Sequence, residues 1–309
     1  MTISTSARVI ALTITGAMAL LGDSVVSKST SETAAPPEMS TDRPDFTEAT
    51  DTVPRGVMQF EGGFLLSSHA LESGLAHDVV GPSPLIRIGL SRFAELRFGS
   101  DGFTRESVVA QGPDTPNERH TGLSDLEIGV KLRLWKQRKY TPAFAVIGAL
   151  SVPNGSSYFS SGGRDPILDL CWSKALPKHF DVGGNVNFRR FGADGHIEKA
   201  LSLSAGRILG HGFGMYGEVY RISPIDDDEP AHLIANTGIT KLLGPNTQID
   251  LEVGHTVNAR TPYWFVGAGF AIRMSRPGFA YLFRRRRFGS DRRPGSRLSR
   301  PLQLSDRAS

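Results

Sequence analysis

Residues 123–135, LSDLEIGVKLRLW, constrain the chain more than any other stretch, because two incompatible solvents are written into alternate positions. Leu126, Ile128, Val130, Leu132 and Leu134 fall on one face of an extended strand, and Asp125, Glu127, Gly129, Lys131 and Arg133 on the other. At ~100° per residue a helix would smear the apolar positions around its cylinder, so the segment is a strand. One such strand could belong to a soluble sandwich. Repeated along the whole chain with turns between copies, the pattern predicts an all-β fold, a transmembrane antiparallel β-barrel of the outer-membrane type with lipid outside and a wet lumen inside.

The copies are there. Candidate strands fall at 57–67, 84–91, 93–100, 122–135, 141–152, 166–175, 179–190, 197–208, 212–222, 231–242, 247–257 and 262–274, about 12 in all. Ile249, Leu251 and Val253 oppose Asp250, Glu252 and Gly254, for example, whereas 141–152 is apolar on both faces. The connectors segregate by length. Those at 68–83, 101–121, 153–165 and 223–230 are long, with 191–196 and 258–261 shorter, while every second connector is short. Bacterial barrels have even strand numbers, short periplasmic turns and longer external loops, so both termini are expected in the periplasm and 57–67 is expected to pair with 262–274. A soluble sandwich has no reason to sort its loops this way.

Composition removes the alternatives. With 39% hydrophobic residues, 34 Gly and a mean hydropathy of −0.18, the 309-residue chain has no apolar run of the ~20 residues a membrane helix needs. Arg8, the apolar run 9–21 and Gly22-Asp23-Ser24 fit a secretory signal over 1–24, and Ala17-Met18-Ala19 has the small-x-small form within that run. Residues 25–56 read as a periplasmic lead-in, 57–274 as the barrel, and 275–309 as a basic disordered tail. The tail holds ten Arg against two Asp, a net of +8 within a chain total of +4, so the rest carries −4. Cys171 is the single cysteine, which excludes an intramolecular disulfide and a cysteine-cluster metal site.

The stretches STDRPDFTEATDTVPRGVMQFEGGF, GLSDLEIGVKLRLW, PAFAVIGALSVPNG and NARTPYWFVGAGFAIR together resemble the family named for the MetA pathway of phenol degradation, over about 40–274. The resemblance implies a porin-like outer-membrane barrel that transports small molecules, aromatic or hydrophobic ones included. Barrels of this kind usually stop on an aromatic residue, whereas here Arg273-Met274 runs on into the basic tail.

If the register is right, Glu61, Arg87, Glu95, Arg97, Asp125, Glu127, Lys131, Arg133, Asp169, Asp181, Arg189, Glu218, Asp250 and Glu252 line the lumen. Two functions compete for them. In a channel they border water and set ion preference. In a plugged structural or ligand-binding barrel they pair with one another. Phe144, Tyr263 and Phe265 favour the plug, as would entry of 40–53 from the periplasmic side with Asp42 and Arg43 meeting wall charges. A barrel-embedded hydrolase is a third reading, resting on His232 and His255 in predicted strands, but there is no Gly-x-Ser-x-Gly elbow. No catalytic set, cofactor site or metal site is expected. Asp226-Asp227-Asp228-Glu229 reads as a solvated loop tip rather than a calcium loop. The expected partners are outer-membrane lipid, a small-molecule solute and the barrel-assembly machinery, with no nucleic acid.

Overall fold

The computed structural model describes residues 39–71, 74–110, 117–223, 231–258 and 263–275. The expected signal over 1–24, the acidic stretch 226–229 and the basic stretch beyond 275 lie outside them. Within them, twelve antiparallel strands follow one another around a closed barrel. They are β1 (Val57–Leu71), β2 (Gly74–Val80 and Leu85–Gly89), β3 (Ala94–Gly99 and Phe103–Ala110), β4 (Glu118–Leu123 and Leu126–Trp135), β5 (Ala143–Val152), β6 (Asp165–Ala175), β7 (Phe180–Arg190), β8 (Ile197–Gly210), β9 (Phe213–Ile222), β10 (His232–Gly244), β11 (Thr247–Thr256) and β12 (Tyr263–Ser275). The expected closure is present: β12 pairs with β1 from Met58↔Met274 to Ser68↔Trp264.

Two expected loops are strands instead. Much of 68–83 and 101–121 extends β1, β2, β3 and β4 into tall hairpins above the upper rim, where the ribbon pairs Leu65↔Val80, Val80↔Thr104 and Phe103↔Leu123. The alternation was hidden because β2, β3 and β4 each break at one level, at 81–84, 100–102 and 124–125. Proline cannot donate to a ladder, and the sequence Gly81-Pro82-Ser83-Pro84 therefore reads as a loop. Hydrogen bonds bridge the breaks regardless, from Gly81 N to Phe103 O (2.8 Å), Ser83 N to Gly63 O (3.0 Å) and Ser124 N to Gly102 O (2.9 Å). Gly102 is required there, since its φ is +78° and a Cβ would lie 1.8 Å from Pro82 O.

The outer surface is a belt of exposed large apolar side chains. Phe64, Leu66, Ile128, Leu201, Leu203, Val219, Leu251, Val253, Trp264 and Val266 all stand on it, a continuous apolar face of the kind that water-soluble monomers rarely expose. Aromatic rings mark its lower edge, at the end with the short turns. Trp135 stacks on Phe144 (centroids 5.0 Å apart), Arg207 lies 4.8 Å over Phe180, and Lys241 lies 3.9 Å over Phe213. Such rings and cations suit the interface between hydrocarbon and headgroups. Phe144 thus packs on the outside, and the expectation that it helps to fill the lumen is corrected. The inner face of β5 presents Ala143, Ala145 and Ile147, with Cys171 of β6 packed against the last two.

Val130→Arg, on the lipid side of β4, should cost about 2–4 kcal/mol if the site lies near the bilayer midplane. Unfolding in urea from lipid vesicles measures it, and an unchanged midpoint would mean that this face meets no lipid. Gly129 is no neutral comparison, because a Cβ there would meet the Ala149 Cβ at 2.8 Å.

Candidate functional site: a finger latched inside the lumen

Residues 39–56 carry no strand and re-enter the barrel from the lower rim as a finger. Its root is fixed where Gly56 N reaches Gly89 O (3.0 Å) and Val53 N reaches the Glu95 carboxylate (2.6 Å). One leg rises through 40–43, the tip is 44–47, and the second leg returns through 48–53. Both legs are stapled by Arg87, which donates to Ser40 O (3.3 Å) and Asp51 O (2.9 Å), and Ala49 N crosses to Asp42 Oδ1 (3.1 Å).

The centre of the latch is Asp42. Its side chain is fully buried, with Lys131 Nζ at 2.8 Å, Arg87 Nη1 at 3.2 Å and the Arg97 guanidinium also in contact. Glu48 takes the other prong of Arg97 at 2.8 and 2.9 Å, and Arg133 meets Asp51 at 2.7 Å. Glu61 and Glu95 hold Arg87 from the wall side at 3.0 and 2.8 Å. On the opposite wall the polarity reverses. Glu218 accepts the backbone N–H groups of Phe46 (2.9 Å) and Thr47 (2.7 Å), and Asp250 and Glu252 face Arg43 at 3.3 and 3.8 Å. Around the finger, Arg87, Arg97, Lys131 and Arg133 outnumber the carboxylates on β2–β4, whereas β9 and β11 offer it Glu218, Asp250 and Glu252, and the finger carries the matching charges on its two sides.

Hydroxyl pairs fill in between, Thr50 with Ser173 (2.6 Å) and Thr47 with Ser202 (2.7 Å). At the tip, Phe46 stacks flat on Tyr220, with centroids 4.4 Å apart, beside an apolar collar of Ile234, Phe265, Leu65, Ile222 and Tyr263. Below the tip, between the finger and the β5–β11 wall, an open vestibule of about 620 Å³ is lined by Arg43, Asp45, Glu48, Trp172, Lys174, Asp181, Tyr216 and Gln248 among others.

Of the residues expected to line the lumen, Glu61, Arg87, Glu95, Arg97, Lys131, Arg133, Glu218, Asp250 and Glu252 hold the finger, and Asp181 borders the vestibule. Glu127 pairs with Arg189 above the tip, and Asp169 is buried on β6. Asp125 is the exception. It sits at the break in β4 and accepts from Gly155 N (2.8 Å), Ser161 N (3.0 Å) and the hydroxyls of Ser160 and Ser161, which pins the upper-rim segment 153–164. Burial works against its ionisation, but those donors prevail and hold the carboxyl below its usual range. Its alternation parity gave no sign of this, because a strand break ends the parity. His255 lies on the outer register with Nδ1 2.9 Å from Thr256 O, and His232 is at the upper rim. Among the described residues no three His, Cys, Asp or Glu are grouped to hold a metal ion.

The family model described as "Putative MetA-pathway of phenol degradation" matches residues 41–274, the finger and the barrel together. The chain belongs to this family. Among solved structures, an outer-membrane channel from Pseudomonas putida F1 aligns at TM-score 0.53 with 12% identity, covering 73% of this chain and 98% of that one. The translocator domain of the autotransporter NalP from Neisseria meningitidis aligns at 0.48 with 10% identity, covering 73% and 91%. At such identity the first alignment speaks for the fold. A search of curated proteins finds no match. The family match begins at Thr41, so it includes Asp42, the residue at the centre of the latch.

Removing that residue's charge tests the latch. Asp42→Asn leaves Arg87, Arg97 and Lys131 short of a buried partner, a loss on the order of 3–5 kcal/mol when the pair stays dry. The finger should therefore leave the lumen, and limited proteolysis of folded protein should cut within 40–53 in the variant and spare the parent. Equal protection of both would show that Asp42 does not hold the finger.

Proposed function

We propose that the protein is a gated channel for small molecules in the bacterial outer membrane, with its lower rim in the periplasm and the finger as its gate. One observation carries the reading: the obstruction is a docked loop, while the wall across the vestibule from it is lined by small residues. Ala143, Ala145, Ser173, Gly183, Ser204, Gly206 and Gly214 project inward along β5–β9, and several border the vestibule. A sealed barrel of this size would fill its bore with large side chains from the wall itself. Here the bore reopens once the finger leaves.

The solutes in this reading are small, with aromatic ones included, since Tyr220, Phe265 and Tyr263 form an inward collar above the tip and Tyr216 borders the vestibule below it. The family description supports the same class. Transport rather than catalysis fits a lumen whose charges are engaged in holding the finger. Lipid around the belt and the assembly machinery that inserts such barrels are the partners this role requires.

A disulfide tests the gate. Thr50 and Ser173 touch through their hydroxyls at 2.6 Å, which makes the pair a site for a cross-link between finger and wall. Thr50→Cys with Ser173→Cys, in a Cys171→Ala background, should be silent in planar bilayers when oxidised and conduct in steps after reduction. Deletion of 40–53 should conduct without reductant. Silence of the folded, heat-modifiable deletion and of the reduced double variant would overturn the channel.

A further inference from the structure

We propose that the place occupied by the Arg43 guanidinium is a binding site for small guanidinium-type cations, and that such cations compete with Arg43 and release the finger. The proposal rests on the reading of the finger as a gate.

The wall is shaped for a flat cation. Gly63 and Gly269 stand directly opposite one another across the β1–β12 seam, and a Cβ on either would lie 2.4 Å from a guanidinium nitrogen of Arg43. Glu252 in turn folds over Gly267, where a Cβ would be 2.4 Å from its Oε1. Three glycines thus leave a slot with carboxylates at one end. A guanidinium is planar and offers donors in a fork that matches a carboxylate edge on, which a compact ammonium cannot do.

The resident group uses this slot incompletely. Arg43 reaches Asp250 through one nitrogen at 3.3 Å and Glu252 at 3.8 Å, while its own Nε has no partner. Asp250 Oδ2, Asn236 Oδ1 and the Tyr216 hydroxyl are likewise buried and unpartnered among the described residues, and their side chains are more than nine-tenths buried. Asn236 and Tyr216 project inward from β10 and β9, beside the β11 carboxylates. The acceptor capacity therefore exceeds what a tethered arginine can satisfy, and buried polar atoms without partners are a cost that a better-placed ligand removes. A free cation can slide into bidentate contact where the chain holds Arg43 back. Arg43 and Tyr216 both border the vestibule, which gives a path from the lower mouth.

Binding and gating are read separately. In detergent-solubilised, heat-modifiable protein, calorimetric titration with methylguanidinium chloride should show at least tenfold tighter binding to Arg43→Ala, whose slot is empty, than to the parent, whose slot is filled. Adding Gly269→Ala to Arg43→Ala should abolish that binding; the three atoms nearest its Cβ in the parent all belong to Arg43, and that clash is gone in the Arg43→Ala background. Tetramethylammonium, with no donors, should not bind. Equal affinity of parent and Arg43→Ala, or binding that survives Gly269→Ala, overturns the site. In bilayers, methylguanidinium should raise the open probability of the parent severalfold over the same concentration of KCl. If the deletion of 40–53 conducts but the parent ignores methylguanidinium, the cation-release proposal fails and the channel stands. If the deletion is silent, the channel reading fails on its own account.

Discussion

The buried carboxylate of Asp42 is the interaction on which the interior depends. Three cations, Arg87, Arg97 and Lys131, come from three neighbouring strands and are directed into a space that lipid surrounds, with only Glu61 and Glu95 from the wall to offset them. Charges so placed need water or a counter-ion. The finger supplies the counter-ion and excludes the water at once. The same wall therefore admits two states, one dry with Asp42 in place and one wet without it, and whatever shifts the finger shifts the solvent of the lumen with it.

Geometry makes the dry state specific. Arg87 binds both legs of the finger through Ser40 and Asp51 carbonyls, so one leg cannot be withdrawn without disturbing the other. Arg43 lies in a groove that exists because two facing residues are glycine, and Phe46 is held by a stack on Tyr220. These contacts are anchored to β1–β4, β9 and β11, with hydroxyl pairs to β6 and β8. The docked finger therefore depends on strands from both ends of the barrel sequence.

The barrel was largely legible because lipid and lumen impose a two-residue period that survives in most strands, and Leu126–Trp135 shows it at full contrast. It was lost where Pro82 and Pro84, Gly102, and Ser124-Asp125 break three strands at one level and turn tall hairpins into apparent loops. The lumen residues were legible as a set, since parity places a side chain inside, but parity does not say what meets it there. The sequence held a hint in Asp42 and Arg43, adjacent opposite charges in a stretch with no strand pattern. Which wall each would find depends on charge sorted around the barrel by strand order, and that order exists only after folding.

That sorting has its own consequence for an emptied lumen. With an excess of cations on β2–β4 and carboxylates on β9 and β11, the electric field between them lies across the bore, perpendicular to the direction of travel. Water in the constriction would be aligned crosswise, and a solute with a dipole would be turned broadside as it passed. The limit on passage would then be set by the longest polar dimension of the molecule rather than its narrowest section, so two solutes of equal mass could differ in permeation by where their charge is carried.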